Sequence, residues 1–157
     1  MATSEQDSKM QIQVRRTFTA PRERVYQAWV ERAVLEQWMC RDVPTHRVKY
    51  LELEVKTGGR YVMEVTDTAT GEVYLGRGVY RDVTPPQKLV FTWGWQKRQK
   101  DGTLSPLESE TQVTVEFWER GGSTEVLLTH EFIPTEKAAK STEEGWKGCF
   151  DALAGVL

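Results

Sequence analysis

The feature that most constrains this chain is an apolar stripe near its C-terminus. Between Ser141 and Leu157, apolar side chains recur at helical period, namely Trp146, Cys149, Phe150, Leu153 and Leu157. This spacing places them on one face of an amphipathic helix. Ser141 and Glu144 form a capping-box pattern, which predicts that the helix begins at Ser141. A helix with a Trp and a Phe on one side must pack on another element, and the preceding chain predicts a sheet.

Alternating apolar and polar residues fill most of that preceding chain. The predicted strands are Met10–Phe18, Val48–Val55, Arg60–Val65 and Glu72–Val83, then one with Leu89, Phe91, Trp93 and Trp95 at every second position, one with Val113, Val115 and Phe117, and one with Val126, Leu128, His130 and Phe132. Alternation with a period of two is typical of strands that bury one face. Gly58-Gly59, Pro85-Pro86 and Gly121-Gly122 separate neighbouring strands, which favours an antiparallel meander.

Two short helices are expected directly after the first strand. Pro21 suits the first turn of a helix, and a second short helix is predicted over about Arg32 to Met39. Lys97 to Glu110 reads as a long polar loop. We therefore predict a disordered tail at residues 1–9 and a single α+β domain at 10–157, in which a curved antiparallel sheet of about seven strands wraps the last helix.

Composition excludes several classes of function. The formal net charge of −2 gives no electrostatic reason to expect a nucleic-acid partner. No apolar run approaches the roughly 20 residues of a membrane span, and the polar start lacks a signal core, so we expect a cytoplasmic protein. Cys40 and Cys149, the only cysteines, and His46 and His130, the only histidines, have no metal-ligand spacing. We expect no metal and no cofactor.

Five segments of the chain resemble a known family. They read FTAPRERVYQAWVERAVLEQWM, GGRYVMEV, GRGVYRDVTPPQKLVFTWGW, TEVLLTHEF and EEGWKGCFDALAGVL. In this order they are similar to the START-like or Bet v 1-like (SRPBCC) superfamily, in particular to the C-terminal domain of the activator of Hsp90 ATPase. The second helix departs from the family by opening with Glu31-Arg32 where Pro-Glu is usual. The resemblance implies a helix-grip fold, in which the sheet grips the last helix over an apolar cavity. It implies little about chemistry, because members bind different ligands and some are enzymes.

A ligand site in such a cavity would use the aromatic and polar residues of the inward face. We predict Trp38, Met63, Arg77, Phe91, Trp93, Trp95, Phe117, His130, Trp146 and Phe150 as ligand-binding residues. Trp93 suits either a cavity wall or the core, and Trp95, nearer the loop, suits the cavity mouth. Cys40 is expected in the core or at an edge, with a cavity thiol as the alternative.

The polar candidates each depend on a geometry that sequence leaves open. His130 would need a carboxylate such as Glu64 or Glu116 for acid–base catalysis, and otherwise it is a structural histidine. Arg77, Glu64 and Tyr80 face either the cavity or solvent. A buried Arg77 would require a carboxylate from the protein or the ligand. No nucleophile accompanies His130 in the sequence, so we assign no catalytic residue.

Three classes of function follow from these observations. The first is binding of a small apolar or aromatic molecule between the sheet and the last helix. The second is a protein-interaction domain for an Hsp90-type chaperone, and this rests on the resemblance alone. The third is an enzyme of the cyclase or dehydratase type that uses the same cavity. A homodimer through the exposed sheet or the short helices is compatible with all three.

Overall fold

One seven-stranded antiparallel sheet and three helices make up the fold in a computed structural model, which describes residues 9–108 and 110–157. The elements in chain order are β1 (Met10–Phe18), α1 (Arg22–Gln27), α2 (Arg32–Trp38), β2 (His46–Leu53), β3 (Arg60–Asp67), β4 (Val73–Thr84), β5 (Lys88–Lys97), β6 (Thr111–Arg120), β7 (Ser123–Ile133) and α3 (Glu136–Val156). The strand order β1-β7-β6-β5-β4-β3-β2 confirms the α+β helix-grip prediction. The predicted tail lies almost wholly outside the described residues.

The long helix α3 begins earlier than the sequence predicts. Thr135 is its N-cap, and the Thr135 side chain accepts a hydrogen bond from the Ala138 amide at 3.1 Å. The predicted capping box at Ser141 is therefore wrong, since Ser141 lies inside the helix. The residues after Thr135 are good helix formers, and Ala139 extends the buried stripe backwards by two turns from Trp146.

The concave face of the sheet packs against α3 and the two short helices. Phe150 is fully buried and meets Phe18 edge to face, with ring centroids 5.6 Å apart. Trp146 and Leu153 are also buried, as predicted. Trp29, between α1 and α2, stacks on Trp146 at 6.0 Å, which ties the short helices to α3. An aromatic layer therefore fills the space between the helices and the sheet.

Side chains of β3 and β4 alternate between the core and the convex face of the sheet. Tyr61 and Met63 belong to the core, and a Cβ at Gly76 or Gly78 would meet these residues. Because strand residues alternate between faces, Glu64 and Arg77 lie on the convex face. Glu64 there pairs with Arg98 at 3.3 Å.

Within the described residues, no helix combines the length and the apolar character needed to cross a membrane.

Candidate functional site

The aromatic end of β5 leaves its rings only partly covered. Leu89 and Phe91 are buried, whereas Trp93 and Trp95 are half-buried. Gly76 lies opposite Trp95 in the β4–β5 pairing, and a Cβ there would come within 3.1 Å of the Trp95 ring. Glycine at this position therefore gives the indole room to lie over β4. The two tryptophans form the floor of an open region at one end of the fold.

Three cavities adjoin Trp95. Their volumes are about 150, 440 and 320 Å³. The first is lined by Met39, Cys40, Asp42, Trp93, Trp95, Thr142, Gly145, Trp146 and Cys149. The second is lined by Trp93, Gly94, Trp95, Glu108, Thr111, His130, Ile133, Pro134, Ala138 and Thr142. The third is lined by Cys40, Asp42, His46, Val65, Tyr74, Trp95 and Glu108. Because they share walls, we treat them as one site, the Trp95 site.

A chain of hydrogen bonds holds His130 at the inner wall of this site. The Trp146 indole nitrogen donates to Nδ1 of His130 at 3.0 Å, so Nδ1 is the acceptor and the proton sits on Nε2. Nε2 then donates to the Thr111 hydroxyl at 2.7 Å, and that hydroxyl donates to the Trp93 carbonyl at 3.0 Å. Burial lowers the pKa of His130 to about 4.

This geometry gives His130 a structural role. Both of its ring nitrogens are occupied, and neither partner is a carboxylate. Glu64 and Glu116, the partners that catalysis would need, do not bond to it. Lys88 of β5 stands directly opposite Glu116 in β6, and Lys88, Glu116 and Glu64 lie on the convex side of the sheet. His130 therefore orients Trp146 and Trp93 around the cavity.

Both cysteines line the first cavity, although they are far apart in sequence. Each is buried and unbonded to the other. The Cys149 thiol lies 3.7 Å from Oδ1 of Asp42. Burial and the Asp42 carboxylate together raise the pKa of Cys149 to about 12, and burial, with smaller contributions from Cys149 and Asp42, raises the pKa of Cys40 well above its usual value. Within the described residues, no three His, Cys, Asp or Glu side chains are grouped so as to hold a metal ion.

Helix α3 approaches the Asp42 segment through two glycines. A Cβ at Gly148 would lie 2.6 Å from the Asp42 Cβ, and one at Gly145 would lie 3.6 Å from its carboxylate. Cys40 itself adopts a positive φ of 57°, which few residues other than glycine adopt readily. The turn after α2 therefore packs closely against α3 and forms one wall of the site.

The structure brings four of the ten predicted ligand-binding residues to this site, namely Trp93, Trp95, His130 and Trp146. Five others, Trp38, Met63, Phe91, Phe117 and Phe150, are buried in the aromatic core and line none of the three cavities. Arg77 lies on the convex face and is not brought to the site. The open space is thus at one end of the sheet, whereas the centre between sheet and helix is filled.

Sequence reasoning missed Asp42, Glu108, Thr111 and Thr142 as wall residues. One signal existed for Asp42, because two glycines three residues apart inside a helix indicate close approach by another segment. Glu108 enters because the loop after β5 turns back along it, with the Glu108 amide donating to the Trp95 carbonyl at 3.1 Å. Nothing local in the sequence predicts that turn.

The profile of the family described as Activator of Hsp90 ATPase homolog 1-like protein matches residues 19–157. The chain belongs to this family. Solved structures from several bacteria share the fold of this Hsp90-activator-like chain. A protein from Chromobacterium violaceum has a TM-score of 0.79 at 23% identity, over 93% of this chain and 95% of that one. The AHSA1 protein from Silicibacter pomeroyi has a TM-score of 0.73 at 22% identity, over 93% and 96%.

A protein from Arthrobacter aurescens, solved in solution, has a TM-score of 0.77 at 20% identity, over 93% of this chain and 84% of that one. At these identities the likeness shows the fold of the Hsp90-activator-like chain and no more. A comparison with curated proteins gives no match.

Proposed function

We propose that this Hsp90-activator-like domain binds a small, ring-containing molecule at the Trp95 site. The observation that carries the proposal is the half-buried pair Trp93 and Trp95, whose rings face three adjoining cavities. Interiors are normally packed to the density of organic crystals, and the core residues beneath this site, such as Phe91 and Phe150, are buried. Aromatic surface left open beside such a core is typical of a ligand pocket.

The ligand enters beside the tryptophans and stops at the core. Its rings stack on Trp93 and Trp95, with Trp146 behind them and the first turns of α3 above. Phe91 and Phe150, further in, support the floor without touching the guest. The walls offer few hydrogen bonds, so shape and aromatic contact supply most of the affinity, and micromolar binding is expected for a neutral ligand.

Indole N–H signals in an NMR spectrum test this proposal directly. The chain has six tryptophans, and each gives one such signal. Flavonoids, aromatic polyketides and fatty acids are titrated separately into the labelled protein. The Trp93 and Trp95 signals are expected to shift, while the signal of Trp118 stays in place, since Trp118 lines none of the cavities.

Two matched substitutions make the test quantitative. Trp95→Ala is expected to weaken binding at least tenfold, because Trp95 borders every cavity of the site. Trp118→Ala removes the same side chain from the convex face and should leave the affinity unchanged. If no compound shifts the Trp95 signal, or if both variants weaken binding equally, the proposed function fails.

An Hsp90-type chaperone is the second candidate partner. The description of the matching family favours a chaperone partner, and one domain can carry both a ligand site and a chaperone interface. Titration of purified Hsp90 into the same labelled protein separates the two functions. A chaperone interface would perturb backbone signals over a broad surface, whereas a ligand would perturb the Trp95 site.

A further inference from the structure

Apart from the His46 imidazole, which lines the third cavity, the ionisable carboxyl and amino side chains around the Trp95 site all have one sign. Asp42 lines the first and third cavities and Glu108 lines the second and third. No Lys or Arg side chain is found among the described residues that line the three cavities. Both carboxylates are on exposed residues, so they stand at the mouth while the indoles form the floor.

We propose that the ligand of this site is an organic cation, a ring-bearing amine or ammonium compound. This inference rests on the proposed function, because it names the class of molecule that the Trp95 site takes. The ring lies on Trp93 and Trp95, and the positive group lies at the mouth, between Asp42 and Glu108. A carboxylate ligand of the same shape is disfavoured there.

Aromatic rings and carboxylates cooperate in holding a cation. Tryptophan attracts a cation to its ring face more strongly than tyrosine or phenylalanine does. Carboxylates next to the ring add Coulomb attraction, which is stronger at a partly desolvated mouth than in bulk water. Trp95 borders all three cavities, and the Glu108 amide is tied to the Trp95 carbonyl at 3.1 Å. The aromatic face and one carboxylate are therefore fixed relative to each other.

The protein's own cations near the site are engaged elsewhere. Lys97 lies over the Tyr74 ring at 5.8 Å, and its ammonium pairs with Glu72 at 2.6 Å. Arg41 donates to the His46 carbonyl at 3.3 Å. Neither side chain lines any of the three cavities of the Trp95 site, so neither occupies the ring faces of Trp93 and Trp95. His130 is buried and neutral at physiological pH and adds no positive charge.

The field of Asp42 reaches into the first cavity. Its carboxylate contributes to the raised thiol pKa of both Cys40 and Cys149, which are buried in the wall. A negative potential that disfavours a thiolate favours an ammonium group in the same space. The geometry places the Asp42 carboxylate beside the first cavity, and the raised thiol pKa values are consistent with its negative charge.

Three ligands of similar size test the proposal on the intact protein. Phenylpropylamine, phenylpropanol and phenylpropionate share a phenyl ring and a three-carbon chain, and end in an ammonium, a hydroxyl and a carboxylate group, respectively. Calorimetric titration is expected to give the amine a Kd at least tenfold lower than the alcohol, and the carboxylate the weakest binding. Raising the salt concentration should weaken binding of the amine and leave binding of the alcohol unchanged.

Charge-removing variants assign the effect to the two carboxylates. D42N and E108Q, alone and together, are expected to lower the affinity for the amine, so that the ratio of amine affinity to alcohol affinity falls towards one. E119Q removes an equal charge near the far end of β6 and should leave the ratio of amine affinity to alcohol affinity unchanged. Thermal melts of each variant confirm that it folds.

The outcomes separate this inference from the proposed function. If the alcohol binds at the Trp95 signals and the amine binds no better, the cation preference is overturned and ligand binding stands. If the carboxylate binds tightest, the inference is likewise overturned. If none of the three shifts the Trp95 signal, both the inference and its basis are contradicted.

Discussion

The indole nitrogen of Trp146 donates its proton to Nδ1 of His130 over 3.0 Å, and this bond links the long helix to the sheet. The bond exists only while the imidazole is neutral, because a protonated ring has no acceptor nitrogen. Burial lowers the pKa of His130 to about 4. The helix–sheet contact beside the ligand site is therefore coupled to proton uptake.

Stability should fall as the pH drops from about 6.5 to about 4. In that window the unfolded chain protonates His130 and the folded chain does not, so acidification favours unfolding. The shift corresponds to about 3 kcal/mol at most. Chemical denaturation at a series of pH values measures it. H130Q should flatten the curve above pH 4.5. A wild-type slope retained in H130Q would contradict the role of this residue.

Carboxyl groups overlap only the lower part of that window. The pKa of Asp67 is lowered by hydrogen bonds from Thr45 and the Ala69 amide, and that of Glu125 by the hydrogen bond from Arg15 and, to a smaller degree, by Arg120. Their stabilising contributions are lost progressively as the pH falls below about 5. The loss of stability between pH 6.5 and about pH 5 therefore belongs chiefly to histidine.

Removing the Phe150 ring should destabilise the protein by about 3–5 kcal/mol, as large-to-small core changes do. The ring is fully buried between Phe18, Trp29 and Trp146. Phe132 is 47% exposed and provides the matched control. F132A should cost less than about 1 kcal/mol. Equal losses in the two variants, measured by urea denaturation, would mean that α3 does not pack as described.

The strands were predictable because a half-buried sheet requires apolar residues at every second position, and the turns between them predicted a meander. β1 was placed at its observed bounds, and β2 to β7 within a few residues. The pairing of β1 with β7 was not predicted. The start of α3 was not predictable, because both Thr135 and Ser141 carry helix-start signals. Only the burial of Ala139 and the hydrogen bond from the Ala138 amide to the Thr135 side chain distinguish them.

The candidate site was predictable only in outline. Alternation puts Trp93 and Trp95 on one face, but it does not predict which rings are covered by other side chains. Phe91 packs against Tyr61 and Tyr80 and is part of the core. Trp95 lies over Gly76 and stays half-buried. The face of Arg77 depends on which side the helix covers, and Asp42 arrives through a turn with no sequence periodicity.

The thiols of Cys40 and Cys149 should resist alkylation in the native protein. Their raised pKa values leave almost no thiolate at pH 8, and the thiolate is the reactive form. Iodoacetamide labelling, followed by mass spectrometry, should therefore be slow until denaturant is added. D42N removes one cause of the shift and should speed the labelling of Cys149. Rapid native labelling of both cysteines would contradict their burial.

Two glycines of α3 should respond to alanine in opposite directions. At Gly148 the new Cβ would lie 2.6 Å from the Asp42 Cβ, so the turn carrying Asp42 must move away from the helix. Overpacking of this kind costs about 1–3 kcal/mol. At Gly155 no atom lies within 4 Å of the new Cβ. There the helix propensity of alanine acts alone and should stabilise the protein by up to about 1 kcal/mol.

Thermal and urea unfolding of G148A and G155A give the two signs directly. G148A should also perturb the Trp95 indole signal, because displacement of Asp42 reshapes two of the three cavities that border that ring. G155A should leave the signal in place, since Gly155 lines none of them. A stable G148A protein with an unchanged Trp95 signal would show that Asp42 does not pack against α3, and would contradict its placement at the mouth of the Trp95 site.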